Sequence, residues 1–223
     1  MTDVAAGLQR FRHIVIEGPI GVGKSSLARK LGARLSADLL MEQADENPFL
    51  ERFYADMPGY AFQTQLFFLF QRVKQMRSAA QPGMFASHLV SDFLFSKDAL
   101  FARLNLSDDE FRLYAQMYAQ VAPQVAEPDL VIWLQASPAT MVQRVARRGI
   151  AMEQGISSAY LQRLCDAYVE YFHGYDGAPV FALGTEHFNP VDDDADFEQL
   201  LQRLAAFHGR REFFNSHVEI PFS

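Results

Sequence analysis

The run His13-Ile-Val-Ile-Glu17 passes straight into Gly18-Pro-Ile-Gly-Val-Gly23-Lys24-Ser25, and nothing else in the chain constrains its fold so tightly. A short β-branched run of this kind reads as a buried parallel strand. The string behind it fits G-x-x-x-x-G-K-[ST], whose glycines let consecutive backbone N–H groups turn toward one centre. From Ser25 to Leu35 the apolar residues Leu27, Leu31 and Leu35 recur at helical spacing. A helix there adds the positive end of its dipole at the same spot. Strand, loop and helix in this order predict nucleoside triphosphate binding by Gly18, Pro19, Ile20, Gly21, Val22, Gly23, Lys24, Ser25 and Ser26. Lys24 is expected to reach the terminal phosphates, and the Ser25 hydroxyl to bind Mg2+.

The rest of the chain repeats the alternation. Leu39-Leu40-Met41, 87–91, 130–134 and 179–183 read as further short strands. Helices are predicted over 47–54, 60–76, 108–122, 138–148, 158–172 and 197–207, with a break at Gln81-Pro82-Gly83. Ser107 with acidic residues behind it is a helix start, Ser137-Pro138 is another, and Gly149 is a stop. Short buried strands alternating with helices predict an α/β fold of three layers, a parallel sheet of about five strands with helices on both faces. A single domain over 1–223 is expected. Asp192-Asp193-Asp194 reads as a solvated loop, and the tail from about 208 to 223 shows no pattern.

Composition narrows the partners. With 49% hydrophobic residues and 20 phenylalanines, the chain has ample apolar area for a core. Its 20 Lys and Arg against 27 Asp and Glu lack the basic surplus that holding a nucleic-acid polymer requires. No apolar run is long enough to cross a membrane. Cys165 is the single cysteine, so no intramolecular disulfide forms, and it reads as a buried thiol. The N-terminal stretch lacks the pattern of a secretory signal. A reducing cytoplasm is the expected compartment.

Phosphate transfer to a small acceptor needs an acid, an acceptor pocket and cations over the phosphates. Glu42 and Asp92 each stand at the carboxyl end of a predicted strand, the edge where open α/β sheets bind ligands. Either could equally be a loop charge. Gln65 and Arg72 lie seven residues apart on a phenylalanine-rich helix, as a polar surface stripe or as a reader of a base edge. Arg144, Arg147 and Arg148 close a helix before Gly149, where they either stabilise its dipole or clamp phosphates as a lid over about 147–156.

With these residues in view, the chain resembles the deoxynucleoside kinases of the bacterial deoxyadenosine/deoxyguanosine kinase type, from about Ile14 to Tyr175. The resemblance rests on EGPIGVGKSSLA, ENPFLERFY, AFQTQLFFLFQR, SDFLFSKDALFA, PDLVIWLQASP, RVARRG and EQGISSAYL in that order. It implies a P-loop kinase that moves a phosphoryl group from ATP to a deoxynucleoside 5′-hydroxyl, with Mg2+, as a homodimer. Glu42 would be the general base, with a pKa near its ordinary value. Gln65, Arg72 and Asp98 would read the base, while Tyr54 and Glu153 would hold the 3′-hydroxyl. Arg144 and Arg148 would be lid residues, and Asp92 the acid beside Mg2+. Two departures stand out. The family's acidic-Arg-Ser string is Asp92-Phe93-Leu94 here, leaving Lys97 as the nearby cation, and Ile150 stands where many lids carry an arginine. These departures motivate one alternative, a non-catalytic nucleotide-binding protein. Arg52, Arg72 and Arg77 motivate another, a nucleoside monophosphate kinase.

Overall fold

Successive residues of β1 (His13–Glu17) face opposite sides of one sheet, and both sides are covered. Ile14 and Ile16 pack with Leu27 and Leu31 of α1 (Lys24–Leu35), while Val15 packs with Leu164 and Tyr168 from the other side. Leu130, Ile132 and Leu134 of β4 (Leu130–Gln135) repeat the first pattern, and Val131 the second. Side chains of this size stabilise by about 1.5–3 kcal/mol each when fully buried. Both strands carry apolar residues on both faces through their middle, the pattern of a parallel sheet covered on both sides.

The computed structural model describes residues 4, 7–79, 88–122 and 125–215. Its remaining strands are β2 (Asp38–Leu40), β3 (Leu89–Ser91), β5 (Val180–Gly184) and β6 (Arg211–Phe214). The strand order is β2-β3-β1-β4-β5-β6, and every pairing is parallel. The chain leaves β1 for one side, returns through β2 and β3, then crosses to β4 on the other. This reversal is the switch point where such sheets open a crevice.

The expected three-layer α/β fold is therefore observed, with six strands rather than about five. The sixth, β6, falls in the tail where the sequence shows no period, because at four residues it is set by pairing with β5. The helices after α1 are α2 (Leu50–Ala55), α3 (Met57–Ala79), α4 (Asp98–Asn105), α5 (Asp108–Val121), α6 (Pro138–Arg148), α7 (Ser158–Gly174) and α8 (Asp194–Ala206). α4 was not expected. α8 begins earlier than expected because Asp193 caps it, accepting from the Ala195 and Asp196 amides, so 192–194 is a helix start rather than a free loop. α5 opens with a capping box between Ser107 and Glu110. α6 is bounded as foreseen, by the Ser137 cap and by Gly149 at φ 69°. The expected break at 81–83 and the tail beyond 215 lie outside the described residues. Cys165 is half-buried rather than buried as expected, and burial pushes its thiol up.

Candidate active site

All the strand ends named in the sequence meet at one edge of the sheet. Gly18 follows β1, Glu42 lies two residues past β2, and Asp92 follows β3. The loop after β1 turns tightly at Gly18, where φ is 149° and a Cβ would lie 2.5 Å from the Leu134 carbonyl oxygen. Gly23 has φ 109° with open space on its Cβ side. Lys24 folds back, donating to the carbonyls of Gly18 (2.7 Å) and Pro19 (3.1 Å). Burial lowers the pKa of its ammonium to about 8, and neighbouring Lys97 pushes the same way against the pull of Glu17, Glu42 and Asp92.

Asp92 organises the mouth of the loop. One of its oxygens accepts from the Ser25 hydroxyl (2.5 Å) and the other from the Glu42 amide (2.7 Å). These are hard oxygen donors beside a phosphate loop. No group of three or more His, Cys, Asp or Glu that could hold a metal occurs among the described residues. That donor set fits Mg2+, which keeps its waters and takes one or two protein oxygens plus phosphates.

Glu42 accepts from Arg72 through Nε (3.0 Å) and a terminal nitrogen, and lies 3.6 Å from Lys97 Nζ. Burial alone would raise its pKa, but Lys97, Arg72 and Lys24 outweigh it and hold the carboxyl at about 2. This differs from the near-ordinary value expected, because the sequence did not show that three cations converge on it. Arg72 also pairs with Asp98, whose other oxygen accepts from the Tyr114 hydroxyl (2.6 Å). Gln65 donates to the Asp98 backbone carbonyl (2.9 Å). Asp98 is fully buried and does not line the cleft; it holds Arg72, Gln65 and Tyr114 from behind.

Two cavities open on these residues. One, about 410 Å³, is lined by Glu42, Tyr54, Gln65, Arg72, Lys97 and Glu153, with Phe53, Phe68 and Phe101 among its apolar walls. The other, about 550 Å³, is lined by Val22 to Ser26, Arg144, Arg147, Thr185 and Asn189. Gly21, Lys24, Ser25, Arg148 and Ile150 line both, so the cavities meet at the loop. A larger apolar groove of about 1150 Å³ lies elsewhere, against β2 and the outer face of α3, and none of the expected site residues lines it. It lacks the glycine loop and the strand-end carboxylates, so it is no rival for the chemistry.

Arg148 pairs with Glu153 across the junction, and burial together with the Glu153 charge raises the Tyr54 phenol. Arg144 is anchored instead, donating to the Val22 carbonyl (3.1 Å) and to the hydroxyl (3.0 Å) and carbonyl (2.6 Å) of Thr185. It braces the loop rather than standing free above it. Phe93, where the family pattern has an arginine, is buried and lines a separate 60 Å³ cavity with His13 and Met76. Lys97, from the turn at 95–97, lines the cleft. Sequence reasoning missed Thr185 and Asn189, although Thr185 follows a strand end as Asp92 does. It also missed Thr64, whose buried hydroxyl has no partner at the wall of the first cavity.

A family model described as deoxynucleoside kinase matches residues 14–208. A deoxyadenosine kinase of Lactobacillus acidophilus is 32% identical over 205 residues, covering 86% of this chain and 94% of that one. A deoxyadenosine kinase of Dictyostelium discoideum is 31% identical over 207 residues, covering 91% and 82%. The structure of M. mycoides deoxyadenosine kinase with dCMP and a flexible dCDP bound superposes with a TM-score of 0.76 at 25% identity, over 87% of this chain and 100% of that one.

Proposed function

Because the chain belongs to the deoxynucleoside kinase family, we propose that it transfers the γ-phosphoryl group of ATP to the 5′-hydroxyl of a deoxynucleoside at the junction of its two cavities. The chain is a deoxynucleoside kinase, and its family implies ATP as donor. The observation that carries the residue assignment is the shared wall, where Lys24, Ser25 and Arg148 face both cavities while Glu42 faces only the smaller.

ATP lies in the larger cavity, its phosphates on the loop from Gly18 to Ser26 and its nucleoside toward Thr185 and Asn189. The deoxynucleoside fills the smaller cavity, its base against Gln65 and Arg72 and its sugar toward Tyr54 and Glu153. Glu42 takes the 5′-hydroxyl proton as that oxygen bonds to the γ-phosphorus and the bond to the β–γ bridging oxygen breaks. A carboxylate with a pKa of about 2 is a weak base, which suits a loose transition state in which the proton leaves late. Lys24, Lys97 and Arg148 offset the charge on the moving phosphoryl group. Mg2+ held at Ser25 and Asp92 would supply further charge neutralisation on the phosphate oxygens. Arg144 acts by holding the loop at Val22.

Neither alternative gains support. Of the three arginines that motivate a monophosphate kinase, Arg72 lines the acceptor cavity but is held by Glu42 and Asp98, and Arg52 and Arg77 do not line it. The cation missing at Phe93 is supplied by Lys97. A homodimer is supported by exposed Phe70 on α3 and Leu39 on β2 beside the apolar groove. No helix among the described residues is long and apolar enough to cross a membrane, and we place the protein in the cytoplasm. Incubation with ATP, Mg2+ and each of the four deoxynucleosides, read by phosphorus NMR, tests the reaction. A 5′-monophosphate from at least one nucleoside is expected; a phosphate at the 3′-oxygen, or ATP left intact by the folded protein, would overturn it.

A further inference from the structure

Glu17 is a carboxylate with no solvent exposure at the end of β1, directly after the apolar run Ile14-Val15-Ile16. A buried charge of this kind is costly, and replacing a buried ion pair with apolar residues is often neutral or stabilising. Stability alone therefore does not account for it. Its contacts are specific. Oε1 accepts from the Gly18 amide (2.8 Å) and the Tyr168 hydroxyl (2.8 Å). Oε2 accepts from the Leu94 amide (2.6 Å) and lies 3.5 Å from Lys97 Nζ. Two contacts per oxygen fill the acceptor sites of a carboxylate.

Lys97 is suspended. Its Nζ lies 3.5 Å from Glu17 and 3.6 Å from Glu42, beyond ordinary hydrogen-bond length on both sides, and its side chain is only 2% exposed. Without the pull of Glu17, the ammonium would close onto Glu42. The expected base would then be fully paired, and the cation would be drawn away from the phosphates.

We propose that Glu17 is a positioning residue for phosphoryl transfer: it holds Lys97 midway between itself and Glu42 and, through the Gly18 amide, fixes the phosphate loop in register with that cation. The proposal rests on the kinase reading and on Lys97 as a transfer-site cation. Glu17 touches neither substrate and acts through Lys97. It compensates for Phe93 and Leu94, whose side chains bring no charge to the strand end, and it holds the Leu94 amide there.

The test is a double-mutant cycle on kcat with ATP and the best deoxynucleoside, using Glu17→Gln and Lys97→Met. Glu17→Gln is expected to lower kcat by about 10- to 100-fold with KM for the nucleoside within about threefold, because the loss falls on the transfer step. In the Lys97→Met background the same change is expected to cost no more than about threefold. Equal losses in both backgrounds, or a lowered Tm with unchanged kcat, would overturn the proposal. If Glu17→Gln does not fold, Tyr168→Phe takes its place; it removes one hydrogen bond from Oε1, and its smaller loss in kcat must also vanish with Lys97→Met. Wild-type protein without turnover would sink the kinase reading itself. An active Lys97→Met with unchanged kcat would sink the role of Lys97, and this proposal with it, while leaving the kinase reading standing.

Discussion

Glu42 and Lys24 show how far burial and neighbouring charge move single residues. Glu42 stays ionised to about pH 2, so it adds no acidic limb to the rate above about pH 4. Lys24 is different. With its ammonium at about 8, kcat/KM for ATP is expected to fall as pH rises through about 8. At saturating ATP the bound phosphates favour the protonated form, so kcat should hold to higher pH than kcat/KM. Initial rates from pH 6 to 10 check both, and a kcat/KM flat to pH 10 would contradict them. Identities at strand ends were legible in the sequence. Their electrostatics were not, because Arg72 and Lys97 reach Glu42 from 30 and 55 residues away.

Elements carry the site through their ends. The starts and stops of α1, α5 and α6 were legible because each depends on local chemistry: a glycine loop, a capping box, and a serine cap with a closing glycine. Ser107→Ala should cost about 1 kcal/mol by removing the α5 cap, readable as a shift in urea midpoint at unchanged slope. α4 and β6 were not legible. α4 is eight residues long, and β6 forms only by pairing with β5. Strand β1 also carries a pH dependence. Burial lowers His13 from 6.5 to about 4, against the pull of Asp129, and its ring contacts Ser91. Between these values the unfolded chain binds more protons than the folded one, so stability falls as pH drops from about 6.5 to about 4. The loss attributable to His13 is on the order of 1–3 kcal/mol. His13→Gln should flatten the Tm profile in that window; a profile as steep as wild type would remove His13 as the cause.

At the scale of the whole molecule, the sheet gathers groups distant in sequence onto one edge, and the switch in strand order opens the crevice there. That much follows from alternating strands and helices, which is why the fold was readable from the chain. The cations that line the crevice, Lys24, Lys97 and Arg148, were also named by the sequence; that Arg144 is tied to Val22 and Thr185 was not, since its partners lie 122 and 41 residues away. The apolar groove along α3 also belongs to this scale. Phe70→Asp is expected to convert a dimer to a monomer by sedimentation, with the fold intact; an unchanged mass would remove that face as the interface. The most direct measurement of the central claim is the rate of monophosphate formation by Glu42→Gln beside wild type, with nucleoside affinity measured by calorimetry on the same samples. The account predicts turnover lower by about 10²- to 10⁴-fold, with affinity changed by less than about tenfold. A variant that turns over at the wild-type rate would contradict it.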